Sequence, residues 1–286
     1  MITTAPQLLI TWEKLPADFV LPDDPVDNIN QPALAAALTE SLQVAQRLPE
    51  TALTPTNYGI CAQFKQQFVV KAPDWAYIPH ITVPRSEVVR SYTPHLQGEI
   101  PAIVLEFLSA TEGGEYSSKA THPPGKFFFY ERILQVPSYG IFDPDTGRLE
   151  LHRLDQHQRY QLETPNAQGR YWLPELNLFL GVWQGTRENR QGDWLRWWDA
   201  TGELLPWGAE KALREQQRAE EEHQRAEAES QRAEAESQRA EAESQRAEAE
   251  RQRAEAASQR AEEECQRAER LIAQLRAAGI EPNGDN

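Results

Sequence analysis

Cysteine is nearly absent: Cys61 and Cys265 are the only two in 286 residues. They are too far apart for a zinc-ligand spacing and too few for a disulfide scaffold. Free thiols of this kind suit a reducing compartment, so a cytoplasmic protein is expected. No stretch approaches the roughly 20 apolar residues of a membrane span. The N-terminal "MITTAPQLLITWEKLP" carries an apolar patch without a basic flank, which argues against a secretory leader. Positive charge is also short, with a formal net charge of −15. Residues 1–208 hold 16 Lys+Arg against 24 Asp+Glu, and residues 209–286 hold 13 against 20. Nucleic-acid binders tend to be basic, so this balance counts against any nucleic-acid-directed function, a nuclease included, without excluding it. It leaves room for a carboxylate site whose charge bound cations offset. The six His, among them His80, His95, His122, His152 and His157, show no ligand spacing.

Aromatics are missing from the last quarter of the chain. All eight Trp lie between Trp12 and Trp207, and no aromatic residue follows. The first two hundred residues therefore own the core, a length that suffices for one α/β (α+β) domain. In the tail, Gln recurs every seventh residue from Gln217 to Gln266 in units of "QRAEAES". The repeat is made of strong helix formers, which predicts one long helix over 210–278. Its Ala residues (Ala226, Ala228, Ala233, Ala235) are spaced two and five, so they make no coiled-coil seam of large apolar side chains. The three-four spacing belongs instead to charges such as Arg225, Glu229, Arg232 and Glu236. Such pairs are worth about 0.2–0.5 kcal/mol each. A solvated single helix is expected, with loose self-association or a protein partner along 210–278 as the alternative. "RLIAQLRAAGI" (Arg270 to Ile280) supplies the only large apolar anchors, before Gly279 and Pro282 end the helix.

Three regions are thus expected: an irregular segment over 1–30, a globular domain over 31–208, and a helical tail over 209–286 with a short disordered end. Within the domain, "QPALAAALTESLQVAQRL" predicts an amphipathic helix from Gln31 to Leu48, with Pro32 in its first turn. "YGICAQF" and "QQFVVKAPDWAYI" predict two strands about a short turn. "IPAIVLEFLS" predicts a buried strand, and a Gly-containing loop follows it. "GKFFFYERILQV" predicts a helix. "YGIFDPDTGRLELHRL" predicts a hairpin over "DPDTG". "LPELNLFL" reads as extended, and "GDWLRWWDATGELLPWG" predicts a last hairpin turning at "DATG". Its tryptophans, Trp194, Trp197 and Trp198, suit core and edge packing better than a base-stacking platform.

Two carboxylates stand out. Asp74 follows Pro73 in a strand-like stretch, and Glu106 sits inside "AIVLEFL", where an unpartnered charge is costly to bury. A lysine follows on the next helix, at Lys126. Two carboxylates and a lysine suit a hard cation such as Mg2+, which takes one or two carboxylates and completes its shell with water and phosphate oxygens.

These segments resemble the bacterial "putative restriction endonuclease" family, a branch of the PD-(D/E)xK nuclease superfamily. The resemblance runs over about residues 30–208. It is carried by "APDWAYI", "PAIVLEFLSATEGGE", the K-x-x-x-Y of Lys126 and Tyr130, "VPSYGIFDPDTG" and "LRWWDATGELLPW". Arg/Glu/Ala-rich tails are also common in that family. The resemblance implies a restriction-endonuclease-like core with a mixed central sheet flanked by helices. It implies Asp74 and Glu106 on Mg2+, which Mn2+ can replace, Lys126 as catalytic lysine, and DNA as substrate. Subsidiary candidates are Glu40 in the first helix, Glu115 before the second, and Lys119 as a rival to Lys126. The sequence departs from the superfamily pattern: the usual Lys two residues after the Glu is Leu108, and an extra segment, "YSSKATHPPG", precedes Lys126 and brings Lys119 as its rival. The alternative function is therefore an inactive nuclease-fold protein that acts through its tail. A third, more distant reading is an RNA-directed or other phosphodiesterase.

Overall fold

Helix α1 (Asn30–Val44) opens the described part of the domain and buries Leu34, Leu38 and Leu42, one turn apart, together with Ala35, Ala37 and Ser41. The computed structural model describes residues 10–14, 16, 30–108 and 114–279. Most of the N-terminal segment expected to be irregular, the exit of the glutamate strand, and the expected disordered C-terminus lie outside these residues.

Strands β1 (Ile10–Thr11), β2 (Ile60–Phe64) and β3 (Gln67–Lys71) form a small antiparallel sheet. The sequence predicts that β3 continues to Ile78, and here the structure differs. The ladder stops at Lys71, and β4 (Trp75–Tyr77) joins another sheet. Pro73 explains the break, because it has no N–H to extend the ladder. Its carbonyl instead accepts the Asn57 N–H at 2.9 Å.

The central sheet has the order β4-β5-β6-β7-β8. It comprises β4, β5 (Ile103–Phe107), β6 (Ser138–Asp143), β7 (Arg148–Leu154) and β8 (Tyr160–Leu162). It is mixed: β5 and β6 run parallel and every other neighbour pair is antiparallel. A parallel pair needs a crossover. That connection carries α2 (Lys126–Phe128), which runs straight into a π-helical turn (Phe129–Leu134). The "DPDTG" hairpin joins β6 to β7 as predicted. Asp143 Oδ1 accepts the Asp145 N–H at 3.0 Å, and Gly147 takes the left-handed φ of 68° that the turn requires.

The third sheet holds β9 (Tyr171–Leu173), β10 (Leu178–Arg187) and β11 (Arg190–Trp198). The "LPELNLFL" segment is a turn and the start of β10. β11 pairs along its whole length with β10, across Glu188 and Asn189, whose φ values of 51° and 62° suit a tight hairpin turn. The "DATG" turn yields only one bridge, Trp198 to Leu204. The tryptophans of "WLRWW" are buried, in keeping with packing.

Alternation along β5 sorts the core into two layers. Ile103, Leu105 and Phe107 pack towards α1 and the β9–β11 sheet, among Leu38, Leu195 and Trp197. Val104 points the other way, among Phe129, Tyr130, Ile133 and Tyr139, with the β1–β3 sheet alongside. By the same alternation, Glu106 lies on this second face.

Helix α3 (Gly208–Ala277) is 70 residues long and buries none of them. The chain divides into two compact units, the first ending at Leu213 and the second beginning at Arg214. In the second unit the exposed side chains mostly face water. His223 Nε2 lies 3.5 Å from Glu227 Oε1, and Gln224 Nε2 donates to Glu220 Oε1 at 3.0 Å. In the first unit, the opening turn of α3 is held tightly. Glu210 reaches back to accept the Trp207 N–H at 2.8 Å, one half of a capping box. Glu210 also takes both terminal nitrogens of the fully buried Arg196, at 3.1 and 2.7 Å. The Arg196 guanidinium lies over the Trp207 ring, 3.4 Å from its centroid. No helix among the described residues is long and apolar enough to cross a membrane.

Removing one partner of a buried ion pair strands the other, at a cost of about 3–5 kcal/mol. Glu210 is one-third exposed, which places Arg196→Ala near the lower end, roughly 3 kcal/mol. Urea unfolding followed by Trp fluorescence measures this. A loss below about 1 kcal/mol, the value of a surface pair, would contradict the role given to Arg196.

Candidate active site

Asp74 sits one residue before β4. Trp75 pairs with Leu105, and carrying that antiparallel register one step further sets Asp74 opposite Glu106. Both carboxylates share the sheet face that packs on the Lys126–Leu134 helix. Asp74 Oδ2 accepts the Phe107 N–H at 2.6 Å, so the backbone of the glutamate strand holds the aspartate. Lys126, the first residue of α2, places Nζ 3.1 Å from Glu106 Oε2 and 3.4 Å from Glu115 Oε1. Tyr130, one helical turn later, donates its hydroxyl to Glu106 Oε1 at 3.0 Å. Tyr139 on β6 donates to the backbone carbonyl of Glu115 at 2.9 Å, which fixes the loop carrying that residue.

The charges do not balance. Three carboxylates, Asp74, Glu106 and Glu115, surround one ammonium. Glu106 is fully buried, and burial pushes its carboxyl up to about 8; Lys126 opposes the shift and the charge of Asp74 adds to it. Burial likewise raises Asp74, against the Phe107 N–H that favours its ionised form. Burial alone would lower the Lys126 ammonium, but the charges of Glu106, Glu115 and Asp74 prevail and raise it. Lys126 therefore stays protonated. Burial and the nearby Glu106 keep the Tyr130 and Tyr139 phenols protonated as donors. Glu115 is 4% exposed, and its Oε2 is buried with no hydrogen-bond partner among the described residues.

Of the residues proposed from sequence, Asp74, Glu106, Lys126 and Glu115 come together. Lys119 does not join their contacts: its residue is exposed, and its carbonyl accepts the Gly125 N–H at 3.0 Å in the loop before α2. Glu40 lies at the root of α3. It pairs with Arg187 and accepts the Gly208 N–H at 2.8 Å. Sequence reasoning assigned no role to Tyr130, although its i+4 spacing from Lys126 puts it on the same helical face. It also missed a cleft of about 30 Å3 beside Asp74, lined by Gln31, Pro32, Thr56 and Asn57. Gln31 Nε2 donates to the Phe107 carbonyl at 2.9 Å, which ties the start of α1 to the same strand end. No sequence signal marks the residues of the cleft, because they meet only through the tertiary fold.

A family model described as "Uma2: Putative restriction endonuclease" matches residues 28–186, more than half of the chain. The chain belongs to the Uma2 family. The match runs from the start of α1 to the end of β10, so all four clustered site residues and Tyr130 fall within it, and α3 falls outside. No curated protein matches the chain. Uma2 membership gives the domain a restriction-endonuclease-like assignment, in keeping with its mixed sheet and crossover helix.

The buried Glu106 leaves a pH signature. Folded, its carboxyl keeps a proton up to about 8; unfolded, it loses it near the ordinary 4.5. The stability this group contributes is complete below 4.5 and is lost as pH rises through 8. Glu106→Gln cannot ionise, so the melting temperature of the metal-free variant should gain on wild type between pH 5 and pH 9. Differential scanning calorimetry across that range checks it. A constant difference would contradict the shift.

Proposed function

We propose that the domain is a Mg2+-dependent endonuclease that hydrolyses DNA phosphodiester bonds, with Asp74 and Glu106 on the metal and Lys126 as the catalytic lysine. The observation that carries the reading is the placement of Asp74, one residue before β4, against the end of β5 that carries Glu106, with excess negative charge that Lys126 alone does not offset. Membership of a restriction-endonuclease-like family supports a nucleic-acid substrate.

The donor set suits the cation. Among the described residues, no group of three or more His, Cys, Asp and Glu is arranged to hold a metal. The donors the chain would offer are the two carboxylates Asp74 and Glu106. Mg2+ is bound in this way, with waters and substrate phosphates filling its octahedron. When bound, it would stabilise charge developing on the phosphate and the leaving oxygen. The remaining roles fall to the chain. Asp74 is held by the Phe107 N–H, and Glu106 is oriented by the Tyr130 hydroxyl. Lys126 is pinned by two carboxylates and supplies a fixed positive charge beside the transferring phosphoryl group.

One observation favours a second reading. Both Glu106 oxygens already have partners within the protein, and Leu108 stands where the superfamily keeps a lysine. A nuclease fold retained as an interaction module, acting through α3, would look the same in these respects.

Cleavage separates the two. Incubated with supercoiled plasmid and Mg2+ or Mn2+, the wild type should nick or linearise the DNA. Glu106→Gln should lose this activity by at least about 100-fold while keeping its fold. Absence of metal-dependent cleavage in the wild type, or cleavage that survives the substitution, would favour the interaction module.

A further inference from the structure

We infer that the β2–β3 hairpin and the loop before α2 together form the surface that takes the phosphate backbone of DNA. The inference rests on the endonuclease reading for its ligand and adds where on the domain that ligand lies.

It starts from where acid is missing. Residues 1–208 hold 24 Asp+Glu against 16 Lys+Arg, yet residues 51–73 and 116–130 contain no Asp or Glu at all. Lysine is distributed the other way. Five lysines precede residue 208, and four of them, Lys65, Lys71, Lys119 and Lys126, fall in these two stretches. A domain that is acidic as a whole thus keeps one pair of segments free of acid and places most of its lysines there.

The fold brings the two stretches together. His122 Nε2 lies 3.2 Å from the Phe68 carbonyl on β3, and Phe128 packs on Phe64 of β2 with ring centroids 5.8 Å apart. Lys65 and Gln66 form the turn between β2 and β3, with φ values of 52° and 64°, and both are exposed. Lys119 is exposed in the loop that His122 ties to β3. Exposed Gln67, Ser118 and Thr121 add neutral hydrogen-bond donors. Two acids touch the borders. Glu13 accepts Gln63 Nε2 at 3.0 Å, and Glu150 accepts the Tyr116 hydroxyl at 3.0 Å while pairing with Arg148 at 3.5 Å.

Both stretches lead into the candidate site. Asp74 directly follows the first, and Lys126 lies in the second, 3.1 Å from Glu106. A strand of phosphates held along Lys65 and Lys119 is therefore held beside the carboxylates.

The chemistry of the surface selects its partner. Duplex DNA carries one negative charge per about 1.7 Å of its axis, so an acidic domain repels it except where the acids are withdrawn. Lysine ammoniums neutralise phosphates as point charges, and Gln, Ser and Thr side chains donate to phosphate oxygens. Contacts of this kind position a duplex without reading its sequence.

The test is the salt dependence of binding by the full chain, measured by fluorescence anisotropy of a short labelled duplex in EDTA. Each lysine that neutralises a phosphate contributes about 0.9 to the slope of log affinity against log salt. The double variant Lys65→Gln, Lys119→Gln should lower that slope by about two and weaken two unrelated duplexes equally. Both positions are exposed, so the fold should hold, and an unchanged melting temperature checks this. Arg47→Gln, which removes an exposed charge just after α1, should leave the slope unchanged. With Mg2+, the double variant should raise KM for plasmid roughly 10-fold or more and leave kcat unchanged. An unchanged slope in the double variant, an equal drop in Arg47→Gln, or no duplex binding by the wild type would overturn the inference. Binding that shows the expected slopes in a wild type that never cleaves would sink the endonuclease reading and leave the surface standing.

Discussion

A carboxylate with no exposure to water sits on β5, an otherwise apolar strand, and the surrounding elements converge on it. Glu106 occupies the face of β5 that carries Val104, where its neighbours are aromatic and aliphatic. An ionised group there needs partners, because desolvation otherwise outweighs any gain. The crossover helix supplies two from one face, a lysine and a tyrosine four residues apart. The edge strand adds a second carboxylate, and the loop before the helix adds a third. The resulting cluster is over-supplied with negative charge. That surplus is what motivates the proposal of a cation at the site.

The other layer of the domain serves a different end. Glu40, expected from sequence to belong near the metal site, is instead drawn to Arg187 and to the first backbone N–H of α3. Glu210 and Arg196 close the same corner, over Trp207. A helix N-terminus favours negative charge and needs acceptors for its N–H groups. Two carboxylates meet that need here, while the guanidiniums pack on indole rings. The opening of the long helix is thus anchored by charge and aromatic stacking, whereas its repeat presents only exposed side chains.

Much of this was legible in the sequence, and the exceptions have identifiable causes. Asp74 and Glu106 could be singled out because Pro-Asp interrupts a strand and a Glu interrupts "AIVLEFL". Lys126 followed from its place at a helix start. The boundary between β3 and β4 was misread because apolar alternation continues through Pro73, while the proline moves the chain to another sheet. The "DATG" turn closes only a short hairpin through the Trp198–Leu204 bridge, while β11 takes most of its pairing from β10, which the sequence marks only in part as "LPELNLFL". Strand β8 left no periodic trace in three residues. Tyr130 was marked only by its K-x-x-x-Y spacing from Lys126, and the Gln31–Asn57 cleft depends on which surfaces meet in space, which no local pattern encodes.

The account turns on whether the proton that Glu106 holds gives way to a cation. Isothermal titration of the wild type with Mn2+ at pH 7, repeated in buffers of different ionisation enthalpy, counts the protons released on binding. The carboxyl pushed up to about 8 predicts release approaching one proton per cation at pH 7, fading as the pH is raised past 8. Binding with no proton release at pH 7, or no binding at all, would contradict it.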